Sequence, residues 1–206
     1  MTVVKSDING NRLFPIFLKL DQLETLIVGG GYVGLEKITG LIRNDPLARI
    51  KLVALEIRDE IRIMAQQFPG ILLVERAFEE QDLDGIDVVI LATANRETNH
   101  RIRKISKSRG IITNVADTPD LCDFYLGSTV KKGNLKLGIS TNGKSPTVSK
   151  RLRQLFEEAL PEELDDLIDN LKVIRDSLRG DFEYKVNRLN EITNELLEAK
   201  PAEHES

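Results

Sequence analysis

The chain is poor in the residues that build disulfide frameworks, closed metal sites and membrane spans. Cys122 is its single cysteine, so no internal disulfide can form. Soft metal ligands amount to that thiol, His100 and His204, and no His/Cys spacing has the form of a closed zinc site. No apolar run approaches the ~20 residues that span a bilayer. The formal net charge of −4, with both signs mixed, supplies no basic face for nucleic acid. The opening MTVVKSDINGNRLF has no apolar core behind its lysine, unlike a secretory signal. These absences make the cytoplasm the expected location.

What is present is a globular composition: 206 residues, 41% hydrophobic and 30% charged. That length holds one domain with an appendage, or two small ones. From Leu26 to Val115 short apolar runs alternate with helical patterns, as in a parallel sheet with crossover helices. The runs are TLIVG (25–29), IKLVAL (50–55), ILLVE (71–75), IDVVILAT (86–93) and IITNVA (111–116). Their nearly unbroken apolarity suits strands covered on both faces. Leu35, Ile38, Leu41 and Ile42 share a helical face ending near Asp45-Pro46. Ile57, Ile61, Met64 and Phe68 repeat that spacing, and Ile102 and Ile105 mark a basic helix closed by Gly110.

Beyond Asp117 the rhythm changes. GSTVKKGNLKLGIS predicts two strands about a Gly133-Asn134 turn, a hairpin that needs a partner surface. From Thr147 the chain reads as helix, in three apolar stripes. The first runs from Val148 to Phe156 and the second from Leu164 to Leu178. The third, from Phe182 to Leu196, follows Gly180 and the N-cap candidate Asp181.

The stretch TLIVGGGYVGLEK places Gly29, Gly31 and Gly34 in the pattern G-x-G-x-x-G, between an apolar strand and an amphipathic helix. Gly29 permits the tight turn, Gly31 lets the backbone approach a pyrophosphate, and Gly34 allows the helix to pack closely on the strand. The first helical turn, opened by Tyr32 and Val33, offers unpaired N–H groups to phosphates. Leu55 and Glu56 follow at the end of the next strand, with Glu56 27 positions beyond Gly29. Its carboxylate suits the ribose hydroxyls of NAD; a solvated glutamate opening a helix is the alternative, and Arg58 nearby keeps NADP open. Thr93 and Ala94, after the fourth strand, complete the candidate cofactor-binding set.

Five segments carry a family resemblance: LFPIFLKL, VGGGYVGLEK, LATANRETNHRI, NVADTPDLCDF and ISTNGKSPTVSKRLR. In their order and spacing over residues 13–155 the chain resembles the precorrin-2 dehydrogenase family, the siroheme synthase N-terminal type. The resemblance implies NAD-dependent oxidation of precorrin-2, a reduced tetrapyrrole, to sirohydrochlorin. Some members also insert iron at the same site. It further implies a homodimer with a Rossmann-like α/β domain (1–118), a dimerisation region with the hairpin (119–146) and a helical C-terminal domain (147–206). The methyltransferase of longer members is expected to be absent from a chain ending at 206.

The family's key acid falls on Asp117. Its place after the fifth strand is where open α/β sheets bind ligands, and a carboxylate there can take the proton that leaves as hydride departs. An aspartate opening the turn D-T-P-D is the structural alternative. Asp120 and Asp123 are expected to be turn and cap residues, His100 a surface residue or a proton or metal contact, and Cys122 a small filler. Ser140, Thr141, Asn142, Gly143, Lys144 and Ser145 form a loop whose donors suit a carboxylate-bearing substrate, helped by Lys150 and Arg151. A capped helix start reads equally well there. The family usually has alanine at the place of Gly34 and a basic residue at that of Glu36. Two rival functions fit the residues alone: a non-catalytic dinucleotide sensor, and a dehydrogenase of another small substrate.

Overall fold

A computed structural model of the chain describes residues 10–162 and 164–193. They form two compact units. The first comprises the described residues up to Thr129 with Gly138–Leu152, and the second comprises Val130–Leu137 with the described residues from Arg153 onward.

The first unit is built on a five-stranded parallel sheet: β1 (Glu24–Gly30), β2 (Arg49–Ile57), β3 (Ile71–Glu75), β4 (Val88–Leu91) and β5 (Ile112–Val115). The strands lie in the order β3-β2-β1-β4-β5, so the direction of winding reverses between β1 and β4. Alternation along each strand divides the apolar side chains between the two faces. Ile27, Leu52 and Ile90 join one core with Ile38, Leu41 and Ile42 of α1 (Tyr32–Asn44) and Ile61 of α2 (Asp59–Gln67). Leu26, Val28, Val53, Val89 and Leu91 join the other with Ile102 of α3 (Arg96–Ser108). The expected fold is borne out. Ile57, assigned to a helical stripe by its spacing, instead ends β2 and is buried. Gly110, with φ 73°, closes α3 as expected.

A buried carboxylate ties the far half of this sheet together. Asp82, in a short 3-10 turn (Glu80–Leu83), is 0% exposed. Arg76 grips it with Nη1 at 2.7 Å and Nη2 at 2.8 Å, the Glu79 amide donates to it at 2.8 Å, and Lys51 Nζ of β2 pairs with it at 2.7 Å. With all these donors on one carboxylate, its pKa falls far below the ordinary 3.8, led by the Arg76 hydrogen bonds and opposed by burial.

The second strand pair, β6 (Ser128–Lys132) and β7 (Leu135–Ile139), turns at Gly133, whose φ is 51°. In the second unit Asp165 caps this turn, accepting from the Asn134 amide at 2.6 Å, while Lys132 pairs with Glu162. The helices are α4 (Pro146–Ala159), α5 (Leu164–Ser177) and α6 (Phe182–Thr193). Asp181 caps α6 as expected, accepting from the Tyr184 amide at 2.9 Å. No described residue of α5 or α6 is buried, and Phe182 is 83% exposed, so the third stripe is half open. Leu196 and His204 lie outside the described residues.

Replacing Asp82 with Asn removes a buried charge from two cations that stay partly in water, so a loss of about 3 kcal/mol is expected. Because the folded pKa is depressed, this stabilisation is full well above pH 4 and fades as pH falls through and below the ordinary carboxylate value. Urea unfolding should therefore show the gap between wild type and Asp82→Asn narrowing from pH 7 to pH values of about 3.

Candidate functional site

The carboxyl ends of β1, β2, β4 and β5 surround a cleft of about 930 Å³ in the first unit, at the point where the sheet's winding reverses. Ligands of open α/β sheets bind there, and the volume suits a large organic ligand.

Its floor is the glycine turn. Gly29 holds φ 119°, and a Cβ on it would stand 2.5 Å from the Ala92 carbonyl oxygen at the end of β4. A Cβ on Gly34 would run into the Gly29 carbonyl, and one on Gly30 into the Glu56 carbonyl. In this chain backbones meet at all three positions. Gly31 is different: a Cβ on it would meet no protein atom within 4 Å. It caps α1, whose first internal hydrogen bond runs from the Leu35 amide to the Gly31 carbonyl at 2.9 Å. The amides of Tyr32, Val33 and Gly34 thus lack intrahelical acceptors at the positive end of the helix dipole.

On one side β2 delivers Leu55, which is 74% exposed, and Glu56 into the cleft, with Arg76, Ala77 and Phe78 beyond β3. Arg76 is held there by the buried Asp82. On the other side Thr93 and Ala94 leave β4. Thr93 Oγ1 donates to Asn99 Oδ1 at 2.7 Å and Asn99 Nδ2 returns to the Thr93 carbonyl at 3.0 Å, while Asn95 caps α3 by accepting from the Thr98 amide. This lock places Arg96 and Arg101 at the cleft, where their charge favours an anionic ligand.

Asp117 sits at the carboxyl end of β5, exposed, with φ 55°. A non-glycine residue in this region marks a conformation imposed by its surroundings. The imposing contacts are visible. Cys122 Sγ accepts from the Val115 amide at 3.2 Å and lies 3.2 Å and 3.4 Å from the Val115 and Thr118 carbonyls, so the thiol spans the turn that carries Asp117. Burial raises the Cys122 pKa, which keeps it a neutral thiol that donates. Asp123 accepts from the Thr113 amide at 2.9 Å and from Arg103 Nη2 at 2.7 Å, and Asn114 Nδ2 donates to the Phe124 carbonyl at 2.9 Å. Residues 117–124 are thereby pinned to the sheet. Beside Asp117 a smaller cavity of about 130 Å³ is lined also by Arg96, His100 and Thr118.

Of the residues singled out in the sequence, Gly29, Gly31, Tyr32, Val33, Leu55, Glu56, Thr93, Ala94 and Asp117 all line the one cleft. Gly34 is buried behind it. The loop Ser140–Ser145 does not line it. There Ser145 Oγ caps α4 by accepting from the Val148 amide at 3.2 Å, and Thr141 Oγ1 bonds to Ser145 and Ser149. Spacing did not point to Gly30, Arg76, Asn99 or Arg96. Asn99 and Arg96 had one local signal, their place in the first turns of a helix opening at the sheet's carboxyl edge. His100 is exposed, as expected of a surface residue, yet it borders the cavity beside Asp117.

These features fit a dinucleotide. The open space over Gly31 and the unpaired amides of α1 suit the pyrophosphate, and Glu56 suits ribose hydroxyls. Gly31→Ala should keep the wild-type melting temperature, since its Cβ touches no protein atom, yet weaken NAD⁺ binding about tenfold or more in calorimetric titration. Gly34→Ala should do the reverse first, lowering the melting temperature through collision with the Gly29 carbonyl.

Comparison with known proteins places these observations in a family. Residues 16–128 match the family described as "Putative NAD(P)-binding", and residues 132–159 match the one described as "Sirohaem biosynthesis protein central". Two curated siroheme synthases are similar. That of Nitrosomonas europaea is 32% identical over 84% of this chain and 36% of its own length, and that of Psychrobacter cryohalolentis is 34% identical over 85% and 32%. The chain thus spans about a third of the length of the curated relatives it matches. Among solved structures, "SirC, precorrin-2 dehydrogenase" superposes with a TM-score of 0.70 at 23% identity, covering 87% of this chain and 89% of that one, a likeness of fold. The resemblance drawn from the five segments is supported, and so is the expected nicotinamide cofactor. The chain belongs to the family described as putative NAD(P)-binding, and a sirohaem biosynthesis central segment follows it.

Proposed function

We propose that this protein is an NAD-dependent oxidoreductase that converts precorrin-2 to sirohydrochlorin in siroheme biosynthesis. The observation that carries the reading is the meeting of Asp117 and the glycine cradle in one cleft. The siroheme synthases similar over more than four-fifths of the chain support it.

When bound, NAD⁺ supplies the hydride acceptor. The chain's own residues do the rest. Amides of the first turn of α1 hold the pyrophosphate, and Glu56 accepts from ribose hydroxyls, which favours NAD⁺ over NADP⁺. Arg96 and Arg101 face the carboxylates of the macrocycle. Asp117 Oδ takes the proton from the ring atom beside the one losing hydride, so two electrons and two protons leave the substrate together. The fixed turn at Asp117 sets the root of that side chain before binding, which lowers what must be ordered in the reacting complex.

The substrate is a tetrapyrrole in this reading, and the working form is a cytoplasmic homodimer. Residues 119–146 serve as its dimerisation region, between the NAD-binding part (1–118) and the helical part (147–206). Exposed apolar side chains of that region support this arrangement, with Tyr125 38% and Leu126 42% exposed. Sedimentation should then give twice the 23.2 kDa of one chain.

Anaerobic incubation with precorrin-2 and NAD⁺ should yield sirohydrochlorin and NADH in equal amounts. No product anywhere between about pH 6 and 9 would overturn the reading and favour a dinucleotide sensor. Asp117→Ala should bind NAD⁺ within about twofold of wild type and lose about 100-fold or more in turnover. Unchanged turnover would assign the proton to another group. Adding Fe²⁺ to sirohydrochlorin, with and without protein, decides whether the chain also inserts iron.

A further inference from the structure

Beside the end of the cleft where the adenosine would lie stands a cation that NAD⁺ does not need. Ile57 at the end of β2 is buried at 7% exposure, and the residues on either side of it, Glu56 and Arg58, both emerge on the opposite side. In this topology the end of the second strand is where the adenine ribose lies. An arginine two residues beyond the acidic position is therefore placed to meet a 2′-phosphate.

Arg58 does not line the cleft. Its guanidinium carbon lies 3.7 Å from the centroid of the Tyr32 ring, and Nη2 donates to Glu60 Oε1 at 2.6 Å. Its Nε is buried beneath this stack, without a hydrogen-bond partner among the described residues. The backbone fixes the root of the side chain, because the Arg58 amide donates to the Gly30 carbonyl at 3.1 Å. Tyr32, from the first turn of α1, and Glu60, from the first turn of α2, thus hold the arginine from two sides.

We propose that Arg58 is a latent 2′-phosphate site, withheld by Tyr32 and Glu60, so that the cofactor preference of the cleft rests on two carboxylates. Glu56 repels the 2′-phosphate directly, and Glu60 occupies the cation beside it. The clasp is releasable. The Arg58–Glu60 pair is half in water, with Glu60 51% exposed, and such pairs hold weakly, whereas a guanidinium binds phosphate through two parallel hydrogen bonds. Removing Glu60 frees donors that phosphate can take.

This inference rests on the cleft being a dinucleotide site and not on the identity of the substrate, so binding alone tests it. Titration of the full chain with NAD⁺ and NADP⁺ should show wild type preferring NAD⁺ by at least about tenfold. Glu56→Ser should tighten NADP⁺ by about threefold, and adding Glu60→Gln by a further threefold or so. Arg58→Ala, placed on the double variant, should erase the second gain. Glu60→Gln alone, a substitution at an exposed site, gives an independent arm and should tighten NADP⁺ with Glu56 still present.

Equal wild-type affinity for both cofactors would overturn the proposal, as would a Glu60→Gln gain that survives loss of Arg58, or no gain at all. Binding of neither dinucleotide would instead overturn the reading of the cleft itself. Absence of precorrin-2 turnover with normal NAD⁺ binding would leave this inference standing while the proposed reaction falls.

Discussion

Everything at the cleft depends on how closely three stretches of backbone approach one another where β1 turns into α1. Gly29 lies against the Ala92 carbonyl, Gly30 against that of Glu56, and Gly34 against that of Gly29. Side chains at these positions would push apart the ends of β1, β2 and β4 and lift α1 from the sheet. Because they are absent, the strand ends converge, and that convergence turns the free amides of α1 toward the opening. The packing requirement and the binding requirement are met by the same atoms. Gly31 alone among the four is free of neighbours, and its missing side chain is the space a phosphate would use.

Around this turn, buried and half-buried polar groups fix what apolar packing leaves loose. The sheet faces are sealed by Leu, Ile and Val, which resist separation but do not choose a direction for a loop. Direction comes from Asp82, which binds Arg76 and Lys51 to one oxygen cluster, and from the Thr93–Asn99 exchange after β4. Residues 117–124 are held by Arg103, Asn114 and Cys122, acting from α3, β5 and the loop itself. Each device aims a segment that borders the cleft.

The strands of the parallel sheet, their crossover helices and the glycine turn were legible in the sequence because they rest on local pattern: apolar runs, a 3.6-residue stripe, and glycines between them. Ile57 shows the limit of such reading, since its spacing from Ile61 suits a helix while the strand claims it. Asp82 was not legible at all. Its partners lie at positions 51 and 76, and nothing in the stretch EEQDLDG tells a buried aspartate from three exposed acids around it. The same holds for Cys122, read as a filler, whose thiol in fact spans a turn. At the cleft, residues next to the strand ends were found, whereas Ser140–Ser145, chosen for its chemistry, is engaged with its own helix. Arginines of α3 stand where basic residues were sought further along the chain.

The backbone at Asp117 has one more consequence. A left-handed conformation is costly for most residues with a side chain, of order 1 kcal/mol and less for aspartate, and glycine would adopt it with little penalty. The turn D-T-P-D therefore carries its carboxylate at a small cost that glycine would avoid. The bonds that Cys122 and Asp123 make to β5 hold the backbone of Asp117 in that conformation, so the direction in which its side chain leaves the sheet at the cleft is set by residues that do not themselves line it.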